Sequence, residues 1–195
     1  RDEAEHSLMS AAGLDEEDDL FSPAAKSAKR RAIWLGVNLA TAFLAASVVD
    51  IFQTTLDKIV LLAVLMPIVP SMGGAAGTQS LTIMTRAIAL GHLDRINTKG
   101  ILKKEVLVGI LNGLLWAIVV GSLTYLWFGE WLLGLVIAGA MTINLIVAAI
   151  AGFGIPLMLK KLSIDPALAG GVVLTTITDV VGYISFLGLG AIFLL

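Results

Sequence analysis

The chain has 195 residues, of which 57% are hydrophobic and 14% charged, and its formal net charge at pH 7 is −2. Together with a mean hydropathy of +0.93, this composition excludes a soluble globular domain and indicates an integral membrane protein. The chain contains no cysteine, which excludes disulfides and thiolate metal sites.

The first 31 residues differ from the rest in charge. Eight of the fifteen acidic residues lie in residues 1–19, and a basic cluster follows. We expect residues 1–31 to be a cytoplasmic segment whose basic cluster marks the membrane edge. The acidic run at residues 15–19 could bind Mg²⁺ as a sensor, but like-charge runs are usually solvated, so we expect an exposed loop there. The basic residues are Lys26, Lys29, Arg30 and Arg31.

Five charge-free or nearly charge-free runs predict five membrane-spanning helices. Each run is near the ~20 residues that an α-helix needs to cross the hydrocarbon. The runs do not alternate with a period of two and exceed the ~10 residues of a tilted strand, which disfavours a β-barrel. We therefore expect an all-α integral membrane fold, with a five-helix transmembrane domain at residues 32–195. The runs are Ala32 to Val49, Ile59 to Thr85, Val106 to Gly129, Trp131 to Leu159 and Pro166 to Leu195, the last interrupted only by Asp179.

The second run contains prolines and glycines near its centre, in the segment PIVPSMGGAAGTQS at residues 67–80. Proline removes a backbone donor and glycine loosens a helix, so we expect the second helix to be broken here. Unwound backbone at membrane depth needs a cover of protein or water. The segment therefore either packs tightly against other helices or lines a pore, and the sequence leaves both open. The residues concerned are Pro67, Pro70, Gly73, Gly74 and Gly77.

Asp179 is the only acidic residue inside these apolar runs. A charged side chain near the bilayer centre costs ~3 kcal/mol on insertion scales, so such residues usually face an aqueous path or a bundle interior. Thr175 and Thr176 lie one turn before it, and the three residues together predict an oxygen-only metal site of the kind that hard cations such as Mg²⁺ prefer. One carboxylate suits a Mg²⁺ ion that keeps its waters, or a symmetric site with a second subunit's Asp179. A protonated aspartate that only helps helices associate is the alternative.

Loop charges predict the orientation. Basic residues precede the first run and lie between the second and third and between the fourth and fifth, whereas the other two loops carry only Lys58. The N-terminus is therefore expected in the cytoplasm and the C-terminus outside a cell membrane. Arg86 and Glu105, near the ends of their runs, are expected to be snorkelling or ion-paired anchors. His6 and His92 make no ligand-spaced pair, and we assign neither to a metal.

Two segments resemble the MgtE family of magnesium channels. Residues 67–80, followed by Arg86, resemble the second transmembrane helix of that family. Residues 175–187, with the sequence TTITDVVGYISFL, resemble its fifth helix, in which an aspartate at the pore entrance binds Mg²⁺. Residues 160–168 are similar to the family's short cytoplasmic loop. The order and spacing of these segments agree with the family over essentially the whole chain.

The resemblance implies a homodimer in the lipid bilayer, with a central pore lined by the second and fifth helices of both subunits. It implies that Asp179 is the carboxylate of the ion site, and that Thr175 lies where family members present a backbone carbonyl to the hydrated ion. Gly171 and Ala75 stand where family members have asparagine, so details of selectivity are not carried over. The implied ion is Mg²⁺, with other divalent cations such as Mn²⁺ or Co²⁺ as further candidates.

The start of the chain also resembles part of the family. Residues 3–14 resemble the linker helix that joins cytosolic regulatory domains to the pore, which makes residues 1–31 a linker helix followed by an acidic and basic loop. The regulatory domains themselves are not in this sequence. Because the chain begins at Arg1 without methionine or a signal-peptide pattern, we expect it to be part of a longer protein.

The predicted function is a Mg²⁺-selective channel that passes hydrated divalent cations into the cytoplasm. An inside-negative potential attracts a divalent cation by ~4.6 kcal/mol per 100 mV, so no other energy source is required. A proton-coupled cation exchanger, in which Asp179 alternates between a proton and a metal, and a non-transporting membrane scaffold are the alternatives. An enzyme is least favoured, because an aspartyl protease needs a second aspartate in the membrane, and Asp50 and Asp57 are predicted in an outer loop.

Overall fold

The computed structural model describes residues 23–91 and 98–195, which form α-helices and no strand. The predictions made for the acidic run at 15–19, the linker helix at 3–14, His6 and His92 lie outside the described residues. In chain order the helices are α1 (Ala24–Ile51), α2 (Gln53–Lys58), α3 (Leu61–Leu65), α4 (Ile68–Ala89), α5 (Thr98–Phe128), α6 (Trp131–Lys161) and α7 (Pro166–Phe193).

Within the described ranges, five helical stretches are long and apolar enough to cross a membrane. They correspond to the five predicted runs, which confirms the all-α membrane fold. Helix α1 begins before the first charge-free run, so the basic residues from Lys26 onward lie on its first turns. The stretches are Ala24–Ile51, Leu61–Ala89, Thr98–Phe128, Trp131–Lys161 and Ala169–Phe193.

Helix α6 lies at the centre of the bundle and packs against α4, α5 and α7. Buried apolar side chains pack around α6 at both ends of the membrane domain. Near the turn between α5 and α6, buried Ile137 packs with Leu62 and Phe186. Near the opposite end, Ile155 of α6 packs with Leu174 of α7. Burial of these apolar side chains fixes α4 and α7 on adjacent sides of α6.

Helices α5 and α6 are antiparallel and approach closely because small residues face each other. Gly129, with a φ of 74°, makes the tight turn between them, a conformation that favours glycine. A Cβ added to Gly134 would lie 2.7 Å from the carbonyl oxygen of Gly121, and one added to Gly109 would lie 2.9 Å from the Cβ of Ala149. Such contacts between small residues are a main source of helix association in lipid.

The second span is interrupted at Met66 and Pro67, and not at the glycines, which corrects the predicted position of the break. Helix α3 ends at Leu65 and α4 begins at Ile68, so Pro67 is the residue before α4. Pro70 lies in the first turn of α4, where a missing N–H breaks no intrahelical hydrogen bond. The glycines of this segment are all inside α4. They lie at contacts with α6 and α7, and packing against these helices keeps the segment helical.

Candidate ion-binding groove

Helices α4 and α7 pack against each other through glycines. A Cβ added to Gly182 of α7 would lie 2.8 Å from the Cγ of Pro70, and a Cβ added to Gly77 of α4 would lie 2.8 Å from the Cδ1 of Leu174. Because the contacting positions rise along α4 as they fall along α7, the two helices are antiparallel. The backbones can approach this closely only where a side chain is missing.

Asp179 lies beside this contact. Gly74 of α4 faces Thr178 of α7, since a Cβ added to Gly74 would lie 3.8 Å from the Thr178 hydroxyl oxygen. Thr178 is fully buried, whereas Asp179, the next residue, is only partly buried. Helix α7 therefore turns a neutral hydroxyl toward the packed interior and its carboxylate toward an accessible edge of the α4–α7 contact.

The face of α4 next to Gly74 carries small polar side chains, at positions three or four residues apart. Thr78 and Thr82 are exposed, and their hydroxyls donate to the carbonyls one turn earlier, those of Gly74 and Thr78, at 2.8 Å in both cases. The hydroxyl protons are thus used within the helix, and the oxygen lone pairs remain available to a ligand. We call this surface the polar groove; its members are Ser71, Ala75, Thr78 and Thr82 of α4 with Thr175 and Asp179 of α7.

Thr175 and Thr176, the two predicted partners of Asp179, also donate their hydroxyl hydrogens to backbone carbonyls one turn earlier in the helix. The Thr175 hydroxyl donates to the carbonyls of Gly171 at 3.0 Å and Val172 at 3.1 Å, and the Thr176 hydroxyl donates to Val172 at 2.7 Å. Thr175 is exposed at the groove, whereas Thr176 is half-buried. Asp179 and Thr175 therefore share the groove, and Thr176 lies at its margin.

The prolines and glycines predicted to line a pore have different positions. Pro70, Gly73 and Gly77 are buried in contacts between helices, so within one chain they support the groove wall from behind. Gly74 is half-buried against α7, and Pro67 is exposed at the break before α4. The sequence left open whether these residues pack against other helices or line a pore. Within one chain, the buried Pro70, Gly73 and Gly77 pack against other helices.

Asn144 of α6 is a residue of this region that the sequence analysis missed. Its side chain is 0% exposed, and its Nδ2 donates to the backbone carbonyl of Val69 in α4 at 2.8 Å. A signal was present, because Asn144 is the only carboxamide between Trp131 and Leu159. Polar side chains at membrane depth usually have a partner or a function, so this one warranted a prediction.

Glu105 of α5 is a buried hydrogen-bonded residue and not a snorkelling anchor. The side chain is 8% exposed, and its Oε2 accepts a hydrogen bond of 2.7 Å from the hydroxyl of Ser80 in α4. A cavity of about 170 Å³ with Gln79 and Asn112 on its wall adjoins the pair, on the side of α4 away from the groove. The sequence placed Glu105 near the end of its span, whereas its side chain faces α4.

The described ranges bring together no three carboxylate or imidazole groups. Asp179 is the single charged side chain among the members of the polar groove. A site with one carboxylate and several neutral oxygens matches a cation that keeps part of its hydration shell.

Comparisons with known proteins point to the same stretch of chain. The family model described as MgtE, divalent cation transporter, matches residues 66–189, which include α4 and Asp179. A curated relative named magnesium transporter MgtE, from Bacillus subtilis, is 30% identical over 168 residues, or 86% of this chain and 37% of its own length.

Two further curated relatives have the same name. The protein from Enterococcus faecalis is 30% identical over 193 residues, covering 99% of this chain and 42% of its own length. The protein from Thermus thermophilus is 29% identical over 194 residues, covering 98% of this chain and 43% of its own length. The chain thus spans about two fifths of the length of the curated relatives it matches.

Proposed function

Since the chain belongs to the MgtE family of divalent cation transporters, we propose that it conducts Mg²⁺ across the membrane along the polar groove of α4 and α7. The observation that carries the proposal is the position of Asp179, a partly buried carboxylate at the accessible edge between two membrane-spanning helices. Three relatives named magnesium transporters support the choice of ion. Mn²⁺ and Co²⁺ are further ions to test as competitors.

In this proposal a second copy of the chain closes the groove. Small hydroxyl side chains and a carboxylate are poorly matched to lipid tails, so the exposed face formed by Thr78, Thr82, Thr175 and Asp179 requires a polar cover. A two-fold axis along the groove would place two such faces opposite each other and two Asp179 carboxylates near one path. The homodimer thereby converts an open groove into a pore.

The chemistry of the groove favours a hydrated ion. Mg²⁺ binds water strongly and gives it up reluctantly, so it is usually held through one or two carboxylates and retained waters. Asp179 supplies the attraction, and the hydroxyl oxygens of Thr78 and Thr175, whose protons are donated to the backbone, accept hydrogen bonds from the ion's waters. Contacts through water are weak enough for release, which conduction requires.

The proposed direction follows from charge. The basic ends of the helices near Lys26, Lys104 and Lys161 favour a cytoplasmic N-terminus, with the C-terminus outside. An inside-negative potential then drives Mg²⁺ inward by ~2.3 kcal/mol per charge per 100 mV. In this proposal the protein is a passive channel, and Mg²⁺ transport is not coupled to the movement of a second ion.

The test is Mg²⁺ uptake by liposomes that contain the purified chain, under an inside-negative potential without a pH gradient. We expect Asp179→Asn, which keeps the shape and removes the charge, to lower uptake by at least about tenfold. The matched control is Asp57→Asn, because Asp57 is an exposed carboxylate in α2, outside the groove; it should conduct like the parent chain.

Each other outcome contradicts a part of the proposal. Unchanged uptake by assembled Asp179→Asn dimers would exclude Asp179 from the ion path. Faster uptake under an imposed proton gradient would show an exchanger, because a channel follows the gradient of the metal. Lack of uptake by the parent chain in pure lipid would favour a scaffold.

A further inference from the structure

Asn144 makes an unusual contact for a residue in the centre of an apolar bundle. Its Nδ2 donates to the carbonyl of Val69, while its Oδ1 is buried and has no hydrogen-bond partner among the described residues. Burying a polar atom without a partner costs free energy, and native proteins keep few such atoms. An apolar residue of the same shape would avoid this cost, so the bond to α4 calls for an explanation.

The bond lies directly behind the polar groove. Gly73 and Gly74 are consecutive residues of α4 that face two different helices. A Cβ added to Gly73 would overlap the carboxamide of Asn144 in α6, and Gly74 faces Thr178, the residue before Asp179. At this level the α4 backbone therefore lies against both Asn144 of α6 and Thr178 of α7, the residue before Asp179.

We propose that Asn144 is a positioning residue for the ion path: through the Val69 carbonyl it holds the α4 backbone at the level of Asp179 and so sets the width of the polar groove. This inference rests on the function proposed above. Asn144 itself is 0% exposed, so its side chain does not reach the groove surface. Its effect on the ion passes through α4.

The physical argument concerns the geometry of the two contacts. The Nδ2 donor specifies both the height and the distance of α4 relative to α6, because a hydrogen bond weakens when it is lengthened or tilted. The missing side chain at Gly73 allows the backbone to approach the carboxamide, whereas apolar packing alone would permit sliding. Mg²⁺ keeps its waters in near-ideal octahedral geometry, whereas Ca²⁺ tolerates an irregular shell. Groove oxygens that no longer match the positions of these waters would therefore lose discrimination before the groove lost conduction.

Thr142 offers a matched comparison on the same helix. Its hydroxyl donates within α6 to Ala138 at 3.0 Å and across to the Gly113 carbonyl of α5 at 3.4 Å. Asn144 and Thr142 both link α6 to a backbone carbonyl of a neighbouring helix, but only α4 carries the groove. If the role of Asn144 is specific, replacing Thr142 leaves the groove unchanged.

The first experiment measures the ratio of Mg²⁺ to Ca²⁺ uptake in liposomes for Asn144→Leu, which keeps the branched shape and removes the donor. We expect the ratio to fall by about tenfold, the effect of losing one buried hydrogen bond of typical strength. Thr142→Val should keep the parent ratio. An unchanged ratio in Asn144→Leu, or an equal change in Thr142→Val, would overturn the proposal.

A double variant separates positioning from packing. Asn144→Ala removes the carboxamide and leaves a space beside Gly73. The Cβ of Gly73→Ala fits only when that carboxamide is gone, so Gly73→Ala/Asn144→Ala fills the space. We expect the double variant to assemble and melt near the parent chain and yet to show the lowered ratio. Recovery of the parent ratio would mean that Asn144 only fills space, and the double variant decides the question if Asn144→Leu does not fold.

A readout independent of transport distinguishes failure of this inference from failure of the proposed function. Because the chain has no cysteine, Thr78→Cys places a unique thiol in the groove. We expect Asn144→Leu to change the rate at which a charged methanethiosulfonate reagent modifies that thiol by about fivefold, with no change for Thr142→Val. Equal rates would reject the positioning role even if Mg²⁺ uptake and its dependence on Asp179 are intact, and a changed rate would support it even if uptake fails.

Discussion

Helices α4 and α5 both cross the bundle, and both expose a full face, but the two faces differ in chemistry. Helix α5 exposes large apolar side chains, among them Leu114, Ile118 and Leu126. Helix α4 exposes Thr78 and Thr82 at the middle of its length. Lipid tails match the first surface and not the second. In a membrane protein, exposure in a single chain therefore marks either a lipid face or a functional face, and side-chain chemistry distinguishes them.

The side of α4 that faces α6 and α7 strengthens the contrast, because there the helix packs closely through two glycines and a proline. Gly73, Gly77 and Pro70 are buried, while the opposite edge is open. A closely packed back and an open front are what the proposed pore wall requires, since a hydrated ion would have to meet the same geometry at each passage. Helix α5 has close contacts with α6 but has no comparable polar front.

The largest expected change in stability comes from a substitution in the close contact between α4 and α7. A Cβ at Gly182 would lie 2.8 Å from the Cγ and 3.0 Å from the backbone nitrogen of Pro70, a ring that cannot move aside. We expect Gly182→Ala to lower the free energy of unfolding by about 2–3 kcal/mol, the usual cost of overpacking.

The measurement is the unfolding midpoint of the purified chain in an SDS titration, with a control on the same helix. Gly171 has no atom within 4 Å of an added Cβ, so Gly171→Ala should unfold at or slightly above the parent midpoint. Equal midpoints for the two variants would show that α4 and α7 are not in close contact.

The next effect concerns the hydrogen bond between α4 and α5. Ser80→Ala removes the donor to the buried Oε2 of Glu105 and leaves a carboxyl group without that partner. We expect a loss of about 1–2 kcal/mol in the free energy of unfolding. Ser122→Ala on the exposed face of α5 is the matched control and should have little effect.

Glu105→Gln tests the same bond from the other side, because its carboxamide oxygen can still accept from Ser80. We expect it to unfold close to the parent chain, and Ser80→Ala/Glu105→Gln to lose less than the single serine variant. If Ser80→Ala unfolds like the parent chain, the hydrogen bond contributes nothing measurable.

The sequence predicted the number and order of the spans because long apolar runs have no alternative in a membrane. It also singled out Asp179, since a lone acid in such a run is rare enough to be informative; the role of Asp179 as an ion ligand stays a prediction. Both predictions depend on local composition. Neither needs knowledge of which helices are neighbours.

The predictions that failed all depend on neighbours. The glycines of α4 looked like a break, but Gly73 is required by a carboxamide on α6 and Gly77 by a leucine on α7. Glu105 was expected at the membrane edge because of its place in the chain, whereas its partner Ser80 lies 25 positions earlier. Asn144 drew no prediction although it is the only carboxamide in its apolar run, and its partner, a backbone carbonyl, has no sequence signature.

The smallest expected effect compares the two exposed faces directly through a pair of reciprocal substitutions. Thr78→Val replaces a hydroxyl of the polar groove by a methyl group of the same size, and Ile118→Thr introduces a hydroxyl on the apolar face of α5. We expect Thr78→Val to reduce Mg²⁺ uptake by about threefold, because one acceptor for the ion's waters is lost. Its unfolding midpoint should stay at the parent value, because the side chain is exposed.

For Ile118→Thr we expect the reverse, a lower stability and an unchanged Mg²⁺ uptake. Its hydroxyl can donate to the carbonyl one turn earlier, so the cost to stability is at most about 1 kcal/mol, and uptake should match the parent chain because α5 lies outside the groove. Uptake per amount of reconstituted protein and the SDS midpoint, measured for both variants in one lipid, check all four values. If the two variants reduce uptake equally, the polar face of α4 has no special role, and the distinction between a lipid face and an ion face would not hold for this protein.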